Sequence, residues 1–370
     1  MNHLIHSYIL DSKEENMKNK IITFTFLGYI ILISILHISF KDNRISTTER
    51  RELAEFPKFS LTSEYMTKME KYLLDHFPYR DDYRSIKAIF NYNILGKIEN
   101  NGIYLKDNSI YKSNYPTDKK SINNFIENTS KLKKILTKNN KTYIMIVPDK
   151  NYYLKDENFL QIDYDYIYNE INKLNKVNID IRNIMTLNDY YQTDTHWKQE
   201  NLDKVINEMS KVMNFEYQEI KYKKNEYDKF YGVYYGESAV KRKPEKITYL
   251  TNDVIDNVSV KYLENTSLNK VYNIDKLTSL DSYEVYLDGA SSFIEINNKN
   301  NNTGRELVIF RDSFGSSISP LLINYYSKIT LIDNRYINSD NFLNYIKFKD
   351  QDVLFLYSTL IVNTSNTLKG

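Results

Sequence analysis

From Ile21 to Phe40 the chain reads IITFTFLGYIILISILHISF, twenty residues without a formal charge. At about 1.5 Å per residue a helix of this length covers about 30 Å, the thickness of a bilayer's hydrocarbon core. A helix buried in a soluble core keeps a polar face, and this run has none. A basic start (Lys18, Lys20) followed by an apolar run is also the signature of a cleaved signal peptide. The length of the run and the lack of an A-x-A-like site after it speak instead for an uncleaved signal-anchor. The expected organisation is a cytoplasmic N-terminal segment over residues 1–20, a transmembrane signal-anchor over 21–40, a membrane-proximal linker over 41–62 and a single catalytic-type domain over 63–370. The first sixteen residues, MNHLIHSYILDSKEEN, are an odd preface to an anchor, whereas Met17-Lys18-Asn19-Lys20 has the form of an ordinary start, so translation from Met17 is an alternative. Lysines flank the run on both sides, so the positive-inside rule orients it only weakly; the signal-like start places the C-terminal part outside the cell membrane, at the cell surface.

Composition removes several function classes. Fifty Lys and Arg against 48 Asp and Glu leave a net charge of +2, too little for a phosphate-neutralising surface, so nucleic acid is not an expected partner. The chain has no Cys, which excludes disulfides, thiol nucleophiles and Cys-type zinc sites. None of its nine Gly builds a nucleotide-binding loop. Neither a metal nor a diffusible cofactor is therefore expected. Of five His, only His76 and His196 lie beyond the apolar run. An imidazole base outside the membrane must be one of these two.

Along the remainder, residues 63–90 carry helical spacing interrupted at Pro78. TYIMIV (142–147) reads as a buried strand ending in a functional-type loop at Pro148-Asp149-Lys150. Leu202 to Met213 recur at helical spacing, giving a helix from near Trp197. An irregular, Tyr-rich insertion spans about 214–300, in which FYGVYYGESAV, KITYL, VSVKYL and YEVYL suggest strands. ELVIF (306–310), a helix through Leu321 to Tyr325, KITLID and DVLFLY follow. Apolar strands alternating with helices predict an α/β domain with a parallel sheet covered on both faces.

Two motifs carry chemistry. In Thr193-Asp194-Thr195-His196-Trp197, extended backbone puts Asp194 and His196 on one side, where the carboxylate can orient an imidazole base. The competing reading is an N-cap for the helix that follows. In ELVIF-RDSFGSS, Ser313 stands at the end of a buried strand just before a helix, where open α/β sheets place their sites. The N–H groups of Ser313 and Phe314 are then candidate oxyanion donors. Here too, Asp312 and Ser313 as simple caps are the alternative. Together the motifs supply a triad in the order Asp194, His196, Ser313. His76, in DHFPYR, reads as a surface or structural histidine.

The D-x-H-W block (194–197), the R-D-S-F block (311–314) and the early NRISTTERRELAEFPKFS with YLLDHFPYRD resemble the DHHW protein family, which is similar to the alginate O-acetylation proteins of the SGNH-hydrolase-like group. The resemblance runs from about residue 43 to the C-terminus. It implies a flavodoxin-like SGNH fold, Ser313 as nucleophile, His196 as base and Asp194 as its orienting acid. It also implies O-acetyl transfer to a cell-surface or exported polysaccharide, with acetyl groups supplied by a membrane-bound O-acyltransferase. Thr195 fills the second position of the block, as in the alginate-type proteins. Gly289-Ala290-Ser291 lacks the Asn that such proteins carry as a side-chain oxyanion donor. Asp333-Asn334-Arg335-Tyr336 matches the block after the next strand, so Arg335 and Tyr336, with Arg311 and Phe314, are the candidate substrate-binding or oxyanion residues. The same triad acting with water as acceptor makes an acetylesterase; a third reading is a non-catalytic polysaccharide-binding or assembly subunit.

Overall fold

The computed structural model describes residues 2–154, 158–174 and 177–369. The chain divides into two compact units, residues 1–87 and 88–370. Residues 63–87, expected to begin the α/β domain, therefore group with the N-terminal segment.

In the first unit, α1 (Asn2–Ser39) includes a stretch, Glu15–Ser39, long and apolar enough to cross a membrane. Strands β1 (Ile45–Ser46) and β2 (Arg51–Glu52) pair antiparallel within the segment expected as linker. Helix α2 (Ser63–Asp75) begins where the Thr62 hydroxyl accepts the Tyr65 N–H, and ends just before Pro78, which cannot continue it. Helix α3 (Arg80–Ile89) follows. Arg51 grips the buried Asp75 with both terminal nitrogens, at 2.9 and 2.5 Å. His76 Nε2 lies 2.8 Å from the Ala54 carbonyl oxygen, which makes this histidine a structural one.

The second unit opens with a small antiparallel sheet, β3 (Glu99–Asn100), β4 (Ile103–Lys106) and β5 (Ser109–Lys112), then α4 (Lys119–Lys134) and β6 (Lys141–Val147). After α5 (Tyr164–Leu174) and α6 (Asp203–Met213) come the hairpin strands β7 (Lys223–Phe230) and β8 (Glu245–Thr251), with α7 (Val233–Ser238) between them. Helix α8 (Asp253–Asn257), β9 (Ser259–Tyr262), β10 (Phe293–Asn297), β11 (Glu306–Arg311), α9 (Phe314–Leu322), β12 (Lys328–Ile332), α10 (Ser339–Phe342), β13 (Asp352–Ser358) and α11 (Thr359–Asn363) complete it.

The central sheet has the order β6-β13-β11-β12-β10-β9. Its first four strands are parallel and buried on both faces, which is why they read as unbroken apolar runs. Leu307 and Ile309 of β11 face a core shared with α6 and α9; Val308 and Phe310 face one shared with α4 and α5. Contrary to the expectation of a wholly parallel sheet, β10 and β9 are antiparallel edge strands. The connection from β10 to β11 spans only residues 298–305, too short for the crossover that a parallel strand requires. The supposed 214–300 insertion thus contributes two strands to the main sheet.

Two of the Tyr-rich segments are not strands. VYYGES is α7, and Ser282–Val285 is a 3-10 turn. Tyr234, Tyr283 and Tyr286 are instead buried against neighbouring elements, and tertiary packing overrides their preference for extended backbone. Left-handed backbone at Ala239, Leu287 and Asp288 ends both segments.

Candidate active site

The site forms at the C-terminal ends of the parallel strands, where β11 gives way to α9. Asp312 stitches this end together: its Oδ2 accepts the N–H and hydroxyl of Ser358 at the end of β13, both at 2.7 Å, and its Oδ1 accepts the Phe314 N–H at 3.0 Å. The capping reading therefore holds for Asp312. It does not hold for Ser313, whose side chain makes no capping bond to α9. Because the Phe314 N–H is occupied by Asp312, it is not free to meet an oxyanion. The Ser313 N–H takes no protein acceptor among the described residues.

Ser313 Oγ lies 2.8 Å from His196 Nε2, and His196 Nδ1 lies 2.5 Å from Asp194 Oδ1. Asp194 is fully buried and His196 nearly so, whereas Ser313 is partly open to solvent. Burial alone would raise the Asp194 carboxyl; the charge and hydrogen bond of His196, with the N–H groups of His196 (3.0 Å) and Val233 (2.8 Å), outweigh it and hold the carboxyl well below the usual range. The Tyr283 ring stacks on the imidazole with centroids 3.8 Å apart and planes 8° from parallel, and Phe314 abuts it at 5.1 Å. The Tyr283 hydroxyl and the Trp197 indole N–H both donate to Ser317 Oγ at 2.8 Å, one turn beyond Ser313 on α9. Trp197 thereby ties the segment carrying the histidine to the helix that follows the serine.

Residues to which the sequence reading gave no specific role hold the Asp194 loop in place. Glu245 accepts the N–H groups of Gln192 and Thr193 (2.7 Å each) and the Thr193 hydroxyl (2.6 Å). The fully buried Lys150 donates to the carbonyls of Tyr191 and Gln192 at 3.1 and 2.9 Å, between the rings of Tyr111 and Tyr234. Burial pushes its amine down to about 7, against the opposing pull of Asp194 and Glu245. The loop after β6 was legible as functional in type; its contact with a segment more than forty residues away was not.

Gly232 is the tightest point. Its N–H donates to Thr193 Oγ1 (2.9 Å), and a Cβ added there would lie 2.2 Å from the Thr193 carbonyl oxygen and 2.4 Å from Asp194 Cα. Gly232→Ala must push α7 off the Asp194 loop, and with it the Val233 N–H. We expect destabilisation of about 1–3 kcal/mol and a loss of activity larger than the unfolded fraction explains. Denaturant melts together with activity at a temperature where the variant is folded would check this; wild-type activity per folded molecule would refute it.

The other predicted residues occupy different positions. Arg311 is buried, donating to Ser316 Oγ (2.7 Å) and to the carbonyls of Ser291 (3.0 Å) and Gly289 (3.4 Å). It therefore braces the 289–291 loop from inside and is not itself on offer to a substrate. A Cβ at Gly315 would meet the Arg311 side chain at 2.7 Å, so this close packing needs glycine. Arg335 is locked on buried Asp333 through Nε (2.9 Å) and Nη2 (2.6 Å), whereas Tyr336 beside it is exposed.

No protein-family model matches the chain, and no curated protein does. Among solved structures, the chain is similar to a DHHW family protein from Eubacterium siraeum, with a TM-score of 0.61 and 20% identity over 74% of this chain and 98% of that one. It is also similar to Bacillus cereus PatB1 with a sulfonyl adduct, with a TM-score of 0.56 and 18% identity over 72% of this chain and 95% of that one. The O-acetyltransferase domain of Pseudomonas putida AlgJ matches with a TM-score of 0.42 and 10% identity, over 71% and 92%. The chain thus shares its fold with a DHHW protein and with PatB1.

Proposed function

We propose that the protein is a membrane-anchored, extracytoplasmic O-acetyltransferase with an SGNH-like α/β domain, acting on hydroxyl groups of a cell-surface or exported polysaccharide. The observation that carries the reading is the unbroken chain from Ser313 Oγ through the His196 imidazole to Asp194. His196 Nε2 takes the Ser313 proton as Oγ attacks the carbonyl carbon of an acetyl donor. The Ser313 N–H faces the oxyanion that forms. Collapse of this intermediate leaves acetyl-Ser313, with His196 returning the proton to the leaving group. A sugar hydroxyl, deprotonated by His196, then takes the acetyl group and frees the serine. Asp194 holds the imidazole in the required tautomer and stabilises its protonated form. Tyr283 and Phe314 keep the ring from turning and shield it from water. Acetyl groups come from a membrane-bound O-acyltransferase partner, and Tyr336, the exposed member of the Asp333–Tyr336 block, is the residue assigned to the acceptor.

The test uses the full chain in detergent with an activated acetyl ester, following ester cleavage and the intact mass of the protein, with and without candidate oligosaccharides. An acetyl mass on Ser313 that is discharged faster by an oligosaccharide than by water supports the transferase. Discharge by water alone would make the protein an esterase. A folded protein that never gains the acetyl mass would return the reading to a non-catalytic assembly subunit.

A further inference from the structure

Helix α3 is amphipathic: its polar side is held by ion pairs and hydrogen bonds, while much of its apolar surface stays exposed. Arg80 and Arg84 bind the two carboxylate oxygens of Glu49, at 2.5 and 3.2 Å, and Asp81 accepts the Thr48 hydroxyl at 2.8 Å. On another side Tyr83 and Ile86, at i and i+3, form one stripe, 43% and 62% exposed, and Tyr79, in left-handed backbone just before the helix, is 56% exposed. Contacts inside the same unit locate that stripe. The Tyr79 ring meets Phe40, the last residue of the apolar run, edge to face at 5.3 Å. The Tyr83 hydroxyl lies 3.5 Å from that of Tyr29. From Phe40 back to Tyr29 is about 16 Å along a helix axis, roughly half the depth of a hydrocarbon core. Two hydroxyls paired with each other at that depth relieve the cost of leaving either unpaired in hydrocarbon.

We propose that α3 is a membrane-interface helix resting against the outer end of the anchor, with Tyr83 and Ile86 reaching the lipid acyl chains. The inference rests on the reading of residues 21–40 as a membrane anchor. Tyr79, level with the end of the anchor, then sits in the headgroup zone that tyrosines prefer. The arginines on the polar side stay paired with Glu49 and Asp81. Lys87 is exposed next to Ile86, and its long stem lets the ammonium reach the headgroups. A strongly one-sided helix of low overall apolarity is the kind that rests in a bilayer interface. The bilayer is already at hand for α3, because the anchor it touches belongs to the same compact unit.

Because the chain has no Cys, single cysteines can carry an environment-sensitive fluorophore without background. Ile86→Cys is compared, in the full chain in lipid nanodiscs, with Ile30→Cys in the anchor and with Glu127→Cys on the exposed side of α4. Quenching is measured with nitroxide-labelled phosphatidylcholine and with aqueous iodide. We expect labels at 30 and 86 to be quenched by the nitroxide lipid several-fold more than the label at 127, and by iodide several-fold less. A label at 86 that follows 127 while 30 stays lipid-quenched overturns the proposal alone. Shielding of 86 from both quenchers overturns it as well, and points to a protein on that face. A label at 30 that lipid does not quench overturns the anchor reading and the proposal with it.

Discussion

Ser313→Ala is expected to lower acyl transfer by on the order of 10⁴- to 10⁶-fold, the range found when a triad nucleophile is removed. The fold should hardly register the change. Ser313 Oγ bonds only His196 Nε2 among the described residues, and it caps nothing, so stability should move by less than about 1 kcal/mol. Intact mass would then show no acetyl adduct in a variant with an unchanged melting curve. A folded Ser313→Ala protein that still turns over an acetyl ester at the wild-type rate would remove Ser313 from the chemistry.

Asp194→Asn should cost about 10⁴-fold in turnover and also weaken the fold. The carboxylate accepts three N–H groups, from the His196 ring, the His196 backbone and Val233. An amide offers one oxygen, so its NH₂ must face a donor, either at the imidazole, forcing the wrong tautomer, or at Val233. One buried donor is left without an acceptor, a loss of about 1–3 kcal/mol. The pH dependence has a definite sign. The folded carboxyl lies below its unfolded value of about 3.9, so the unfolded state binds more protons as pH falls past that value. The stability contributed by ionised Asp194 is complete above about pH 5 and is lost as pH drops towards the folded value. The stability gap between wild type and Asp194→Asn should therefore be largest near neutral pH and narrow below about pH 4. Parallel denaturant melts from pH 7 to pH 3 would read this directly, and a constant gap would show that the carboxylate is not ionised in the fold.

The strands of the parallel core were legible because each is buried on both faces and so is apolar throughout. TYIMIV, ELVIF, KITLI and DVLFLY all occur as β6, β11, β12 and β13. The residues of the proposed triad stood out for a different reason. A catalytic group needs a particular functional group, and with so few histidines and no cysteine the choice was narrow. Residues that act through shape or backbone left no comparable mark. Gly232 matters because Thr193 passes within van der Waals reach of it, and nothing in a single glycine signals which segment will pass. Tyr283 looked like part of a strand, yet it serves as the plate beneath His196.

By itself the sequence determined what is local or chemical: the length and apolarity of residues 21–40, the buried strands, the Asp194-x-His196 spacing and a serine at a strand end. Tertiary structure alone decided that His196 and Ser313, 117 residues apart, stand 2.8 Å from each other. It also decided that the Phe314 N–H is occupied, that Arg311 and Arg335 face inward or are paired, and that β9 and β10 run antiparallel. The physical reason is range. Periodicity and residue chemistry report on a few neighbouring positions, whereas a hydrogen-bond partner is chosen among groups that only the packed sheet brings together.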